Sequence, residues 1–288
     1  MKTILIPVDF SEHSTSTYKF AIRIAGATSV TRLTFLHSYN DQLLIPDSGL
    51  NTGFDNDAYT NIQLIEEFKQ LAENNMVQLK DEVSSFLTEN KLENISVNTI
   101  VTGGDPGWEI TSVCNDINPD FIVMGTQGAG KKGILEGSMA KKIMNKARIP
   151  VIAVPMGMYN IDEFKIMYAS NNSEKDADKI QRLQELFENI PTTIFAVHFL
   201  LKGSTDEEEQ ANKLKEVFSQ NIFNEQVHFS LVDTNDKDDA LEAFVEKNKI
   251  NTVAFIAHTS NIFKWLFRSK ISKHDFFKLG LPMVALHE

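Results

Sequence analysis

The residues whose types and spacing could do chemistry lie in one stretch, Gly125-Thr126-Gln127-Gly128-Ala129-Gly130-Lys131-Lys132-Gly133-Ile134-Leu135-Glu136-Gly137-Ser138. Glycine lacks the Cβ that holds a backbone away from a ligand, and a helix start offers N–H groups without intrahelical partners. A glycine-rich turn running into a helix therefore suits a phosphate. The flanks agree with that geometry: Phe121-Ile122-Val123-Met124 reads as a buried strand and Met139 to Ala147 as a helix. Glycines alone would serve equally well in a plain surface turn, so the elements around the stretch decide its meaning.

Those elements alternate. Thr3-Ile4-Leu5-Ile6-Pro7-Val8 is a short apolar run of the kind covered on both faces in a parallel sheet, with Pro7 tolerable only near its end. Asp9-Phe10-Ser11 then turns into a helix with Ser11 as the expected N-cap. Tyr18, Phe20, Ala21, Ile24 and Ala25 form its buried stripe and Gly26 closes it. Leu33 to His37 is the second strand. Ser38 to Tyr59, rich in turn formers such as Pro46-Asp47-Ser48-Gly49, is expected to be a long loop. Asn61 to Asn90 reads as a long helix burying Ile65, Phe68, Leu71, Leu79, Val83 and Phe86. Val97 to Val101, the turn Gly103-Gly104-Asp105-Pro106-Gly107, a helix from Trp108 to Asp116, then Phe121 to Met124 and Val151 to Val154 complete five strands. Strand–helix alternation of this kind specifies a doubly wound, parallel α/β sheet.

Composition bounds the function classes. A chain of 288 residues, 42% hydrophobic and 23% charged, can bury two cores. Its net charge of -11 argues against nucleic acid and anionic lipid as partners. Met1-Lys2 leads straight into a strand, and no apolar run approaches the ~20 residues needed to span a bilayer, so no membrane contact is expected. The one cysteine, Cys114, sits on the apolar side of its helix and suits a reducing, cytoplasmic setting better than a nucleophile's role. No nucleophile–base pair and no metal-ligand cluster stands out, so no catalytic residue and no metal ligand is assigned.

The second half repeats the first. Lys165 to Glu174 has the form of Lys2 to Glu12, with Asn171 where Asp9 stood. Phe195-Ala196-Val197-His198 matches Thr34 to His37, Phe255-Ile256-Ala257 matches Val123-Met124-Gly125, and Leu281 to Leu286 matches Ile149 to Val154. The offset shortens toward the end, and the residues lost fall where the first half has its long loop and helix. A tandem duplication follows, with domains at 1–156 and 163–288. Opposite the glycine stretch, Ala257 to Lys270 contains no glycine and adds Phe263, Trp265, Leu266 and Phe267. This copy is expected to have lost its phosphate cradle.

Taken together, Pro7-Val8-Asp9-Phe10-Ser11, Leu36-His37, Met124-Gly125-Thr126-Gln127-Gly128, Gly137-Ser138 and Pro150 to Val154 resemble the universal stress protein family, in its tandem two-domain form. The resemblance covers the first half well and the second weakly. It implies two Rossmann-like, adenine-nucleotide-binding folds of five strands each, packed through their last strands as an internal pseudo-dimer. It implies ATP or ADP as cofactor, with Mg²⁺ as a companion ion. By that resemblance Pro7, Val8 and Asp9 would line the adenine, Ser38 would stand beside it, and Met124 and Gly125 would pack on adenine and ribose. Gly128, Gly137, Ser138 and the Met139 amide would hold the phosphates. Gly128 and Gly137 enclose one residue fewer than the family's Gly-x2-Gly-x9-Gly-Ser/Thr loop. Family members commonly dimerise, so a further homodimer and an unidentified protein partner are expectations of the same kind.

Three other functions compete. A P-loop phosphotransferase needs a hydroxyl where Lys132 stands, and a dinucleotide-dependent oxidoreductase needs glycines after the first strand, where Asp9 to Ser14 has none. The serious alternative is an interaction module that no longer binds nucleotide, which the shortened loop and the altered second half would suit. A nucleotide-binding stress regulator is the leading expectation, with slow ATP hydrolysis left open. His37 and His198 recur at matching positions and are expected to be structural, bonded to backbone.

Overall fold

The computed structural model describes residues 1–26, 29–41, 54–126, 138–158, 160–170, 176–201, 226–235, 237–257 and 280–287, with backbone alone for 54–61, 138, 201, 237 and 238. The strands are β1 (Lys2–Pro7), β2 (Thr31–Tyr39), β3 (Ile95–Gly103), β4 (Phe121–Gly125), β5 (Val151–Val154), β6 (Phe164–Ala169), β7 (Thr192–Leu201), β8 (Val227–Thr234), β9 (Thr252–Ile256) and β10 (Met283–Leu286). The helices are α1 (His13–Ala25), α2 (Phe54–Glu89), α3 (Pro106–Ile117), α4 (Ser138–Lys146), α5 (Asp176–Leu186) and α6 (Lys237–Asn248).

The strands form one sheet in the order β3-β2-β1-β4-β5-β10-β9-β6-β7-β8. Each half is parallel within itself, and in the first half helices carry each crossover. The halves meet where β5 and β10 pair antiparallel, with Val284 opposite Ile152. This is the expected internal pseudo-dimer, two five-stranded doubly wound sheets joined through their last strands. β2 and β3 are separated by residues 40–94, β7 and β8 only by residues 202–226. The second copy is therefore shortened at the place the sequence comparison indicates.

Successive residues of the central strands point to opposite faces, and both faces are covered. Ile4 and Ile6 pack with α1, α2 and α5, while Leu5 packs with α3 and α4. Both cores run through the seam. Ile152, Val154, Val284 and Leu286 belong to the first, and Val151, Ala153, Met283 and Ala285 to the second. Each of the fully buried Val, Ile, Leu and Met side chains among these contributes about 1.5–3 kcal/mol, so the seam is held like a domain interior. Phe164 sits between Phe20, at a centroid distance of 5.8 Å, and Phe187, at 4.6 Å. Asn189 Nδ2 donates to the carbonyl of Ala25 at 2.9 Å, closing α1 from the other half. Gly26 lies at φ +70°, and a Cβ there would come within 2.6 Å of Asn189, so both backbone and space require glycine.

Several local expectations change. Ser11 does not cap α1 through its side chain: Glu12 occupies the N-cap position without a side-chain bond, and Ser14 N–H instead donates to the Ser11 carbonyl at 3.0 Å. Ser38 and Tyr39 extend β2, and α2 begins at Phe54, so only residues 40–53 lie between these elements. Within α2 the buried residues are Ala72, Met76, Leu79, Val83 and Leu87, whereas Phe68 and Leu71 are exposed. No described helix is long and apolar enough to cross a membrane.

Candidate functional site

In the first half β1, β2 and β3 build outward in one direction and β4 and β5 in the other, so the chain switches direction between β1 and β4. Beyond the carboxyl ends of these strands lies the crevice where open α/β sheets bind ligands. Asp9 follows β1 and Gly125 ends β4, so topology brings the two residues to this one place. α4 begins at Ser138 on the same edge, because it must return from the end of β4 to the start of β5. Its first N–H groups and the positive end of its dipole belong to that edge.

The turn after β1 is held in an unusual conformation. Asp9 Oδ1 accepts a hydrogen bond from Ser11 N–H at 3.1 Å. Between them Phe10 has φ 57°, a left-handed conformation that costs a side-chain-bearing residue roughly 1–2 kcal/mol. The Phe10 ring packs on His37 at a centroid distance of 4.3 Å, which holds the turn against β2. His37 Nδ1 lies 2.8 Å from the Val8 carbonyl. A carbonyl only accepts, so Nδ1 carries the proton and donates. Burial lowers the His37 pKa, with the Val8 bond and the Asp9 charge acting in the opposite direction. His198 Nδ1 meets the Ser170 carbonyl in the same way at 3.0 Å, so both histidines brace the end of a first strand, as expected of a structural pair.

Of the remaining residues, Pro7 ends β1 and Val8 is buried against the core. Ser38 Oγ donates to the Gly104 carbonyl at 2.7 Å, tying β2 to the turn before α3. Met124 is only 5% exposed, and its side chain packs with Leu36, Ile110 and Ile143 rather than standing in the open. Met139 packs partly buried against the same core from the first turn of α4. Gly128, Gly137, Lys131 and Lys132 lie outside the described residues, and of Ser138 only its place at the start of α4 is described. The structure thus brings together Pro7, Val8, Asp9, Ser38, Met124 and Gly125 along one edge.

Sequence reasoning missed the lock between α3 and α4. Asp105 caps α3, accepting from Trp108 N–H at 2.9 Å, and pairs with Lys142 Nζ at 3.1 Å. The lysine bond, then the Trp108 amide, lower the Asp105 pKa. Asp105-Pro106 is a cap-and-N1 signature that could have been recognised. Its partner in α4 could not, since no local pattern marks a contact across so many residues. Cys114 is half-buried, and burial pushes its thiol up to about 11, which fits an unreactive core thiol.

The corresponding edge of the second half is built differently. Pro7 pairs with Leu36 and Ala169 with Val197, each one residue before the matching histidine, so Ile6 and Val8 correspond to Tyr168 and Ser170. Tyr168 OH and Ser170 Oγ both donate to the Asp176 carboxylate, at 2.7 and 2.5 Å, and Asp176 is fully buried. Gly125 pairs with Val154, and Ile256 with Leu286, so the counterpart of Gly125 is Ile256 and not Ala257. This corrects the sequence alignment by one residue. It also puts a buried isoleucine, 3% exposed, where the first half has no side chain at all.

A duplicated, doubly wound α/β protein with glycine at the end of one fourth strand and isoleucine at its counterpart is the class these features define. The universal stress protein family profile matches residues 1–155. The chain belongs to that family. A universal stress protein of Methanocaldococcus jannaschii is 26% identical over 164 residues, 53% of this chain and 94% of the relative. Among solved structures, a universal stress protein from Archaeoglobus fulgidus matches with a TM-score of 0.62 at 18% identity, covering 99% of this chain and 96% of that one. A Pseudomonas aeruginosa protein matches with 0.59 at 15% identity, over 100% of this chain and 93% of its own. These two likenesses support the fold over the whole length of the chain.

Proposed function

We propose that residues 1–156 form an adenine-nucleotide-binding domain holding ATP or ADP, and that residues 163–288 form a second domain that no longer does so. The protein would act as a stress-response regulator in the cytoplasm, its nucleotide state coupled to conformation or to a protein partner. The observation that carries this reading is the meeting of Asp9 and Gly125 at the switch point, above the start of α4, in a member of this family. Pro7, Val8, Asp9 and Ser38 would line the base, Gly125 would lie against base and ribose, and Met124, its side chain held in the core, would meet them through its backbone. Gly128, Gly137, Ser138 and the Met139 amide would hold the phosphates.

The open backbone at Gly125 fits a ligand pressed against the strand end. Among the described residues no group of three His, Cys, Asp or Glu could hold a metal ion, so Mg²⁺ enters this reading only with the phosphates. Residues 40–53, which leave β2 beside Ser38 and lead into α2, are the segment whose conformation nucleotide would set. Calorimetry and thermal shift with ATP on the intact protein test the reading. A binding event that is lost in Gly128→Val is the expected result. Neither heat nor a shift at millimolar ATP would overturn it in favour of an interaction module without nucleotide.

A further inference from the structure

The seam between the halves carries a cavity of about 400 Å³, lined by Pro119, Asp120, Arg148, Ile149, Pro150, Lys179, Arg182, Leu286 and His287. Arg148 belongs to the first half, just before β5, while Lys179 and Arg182 stand on α5 of the second. Three cations and one carboxylate in one hollow are notable in a chain of net charge -11. The carboxylate offsets one of these charges without a direct ion pair to any of the three. Asp120 Oδ2 accepts from Thr3 N–H at 2.7 Å, and only the Asp120 carbonyl meets Arg182, at 3.5 Å.

Lys179 Nζ donates to the His287 carbonyl at 2.6 Å. Arg182 Nη1 pairs with Glu185 at 3.0 Å, an exposed i,i+3 pair of the kind worth little. Arg148 makes no hydrogen bond or ion pair with any described residue. Arg148 and Lys179 therefore line the hollow without a described carboxylate partner, while Arg182 shares its charge with Glu185. Guanidinium matches the oxygens of phosphate in bidentate fashion, and the ammonium adds a point charge. The volume lies in the range of small-ligand sites.

We propose that this seam cavity is a second ligand site, taking a diphosphate group, either free pyrophosphate or the tail of a larger molecule. Because Arg148 and the α5 cations come from different halves, the bound anion bridges them across the β5–β10 join. The site is separate from the first-half crevice, since it lies beside the start of β5 and the end of β10.

Isothermal titration of the full chain with inorganic pyrophosphate, and in parallel with uridine diphosphate, tests it. Wild-type protein should bind pyrophosphate. Arg148→Gln and Lys179→Gln should each weaken it about tenfold, the effect of losing one charged hydrogen-bond partner. Arg148 is the cleaner of the two, being exposed and unbonded, so its variant should keep the wild-type melting temperature. The Gly125→Ile protein, altered in the other crevice, should keep its pyrophosphate affinity. Tighter uridine diphosphate would assign a larger molecule carrying the group; equal affinities would assign the diphosphate alone. The proposal is overturned if pyrophosphate gives no heat, if both seam variants bind as wild type, or if Gly125→Ile is the variant that loses binding.

Discussion

The two halves share strand order, the histidine brace and the buried stripe of their first helix, yet differ at the one edge where a ligand would enter. In the first half Ile6 and Val8, on either side of the last residue of β1, are aliphatic and absorbed by the core, and β4 ends on Gly125. In the second, Tyr168 and Ser170 converge on the buried Asp176, and Ile256 fills the glycine's place. Buried carboxylates are stable only when hydrogen-bonded, and two donors on one carboxylate meet that need internally. The second edge thus satisfies itself, whereas the first leaves backbone open. The fold tolerates either solution, so the fold alone does not imply a ligand.

The comparison can be broken at its sharpest point by Gly125→Ile, which copies the second half into the first. ATP binding should weaken by more than about 100-fold, ~2.7 kcal/mol, measured by calorimetry. Unchanged affinity would mean that Gly125 is not where the halves diverge in function. A smaller effect belongs to the second half. Asp176→Ala leaves two buried donors unsatisfied and should cost about 2 kcal/mol, seen as a lower urea midpoint. Ser14→Ala, at the corresponding start of α1, should cost about 0.5 kcal/mol or less. Equal losses would show that the Asp176 network is ordinary packing.

The smallest effect concerns the histidine brace. His37 stays neutral below the ordinary histidine value, mainly because it is buried, so its folded form binds fewer protons than the unfolded chain. Its share of stability is complete above about pH 6.5 and declines as pH falls from there toward the lowered folded value. His37→Asn should flatten that part of a melting-temperature profile; an unaltered slope would assign it to other groups.

Much of the fold was legible because short-range pattern and burial agree. Ile4 to Ile6, the α1 stripe, Gly26 and Val151 to Val154 all lie where periodicity and end signals put them. Phe68 and Leu71 show the limit. Spacing says which residues share a helix face, but not whether the sheet reaches far enough to cover it. Phe68 lies one turn before Ala72, where burial begins, and Leu71 stands off the face that Ala72, Met76 and Leu79 share, so both stay exposed. The pairing of Ile256 with Gly125's position was hidden for another reason. Similarity of size draws Gly125 to Ala257, and only the strand register, through Val154 and Leu286, corrects it. The Asp176 network was equally invisible, because Tyr168, Ser170 and Asp176 are ordinary residue types until the backbone sets them face to face. The edge at Asp9 and Gly125 was legible in its residues, although Phe10's left-handed turn was not.

The antiparallel join of β5 to β10 has a consequence for mass action. Two separate chains joined in this way would come apart on dilution, and every substitution would appear twice in the pair. Here residues 155–163 tether the partners, so the join forms at a local concentration that the solution cannot change. The same tether frees one edge to change while the other is kept, since a single substitution alters only one copy.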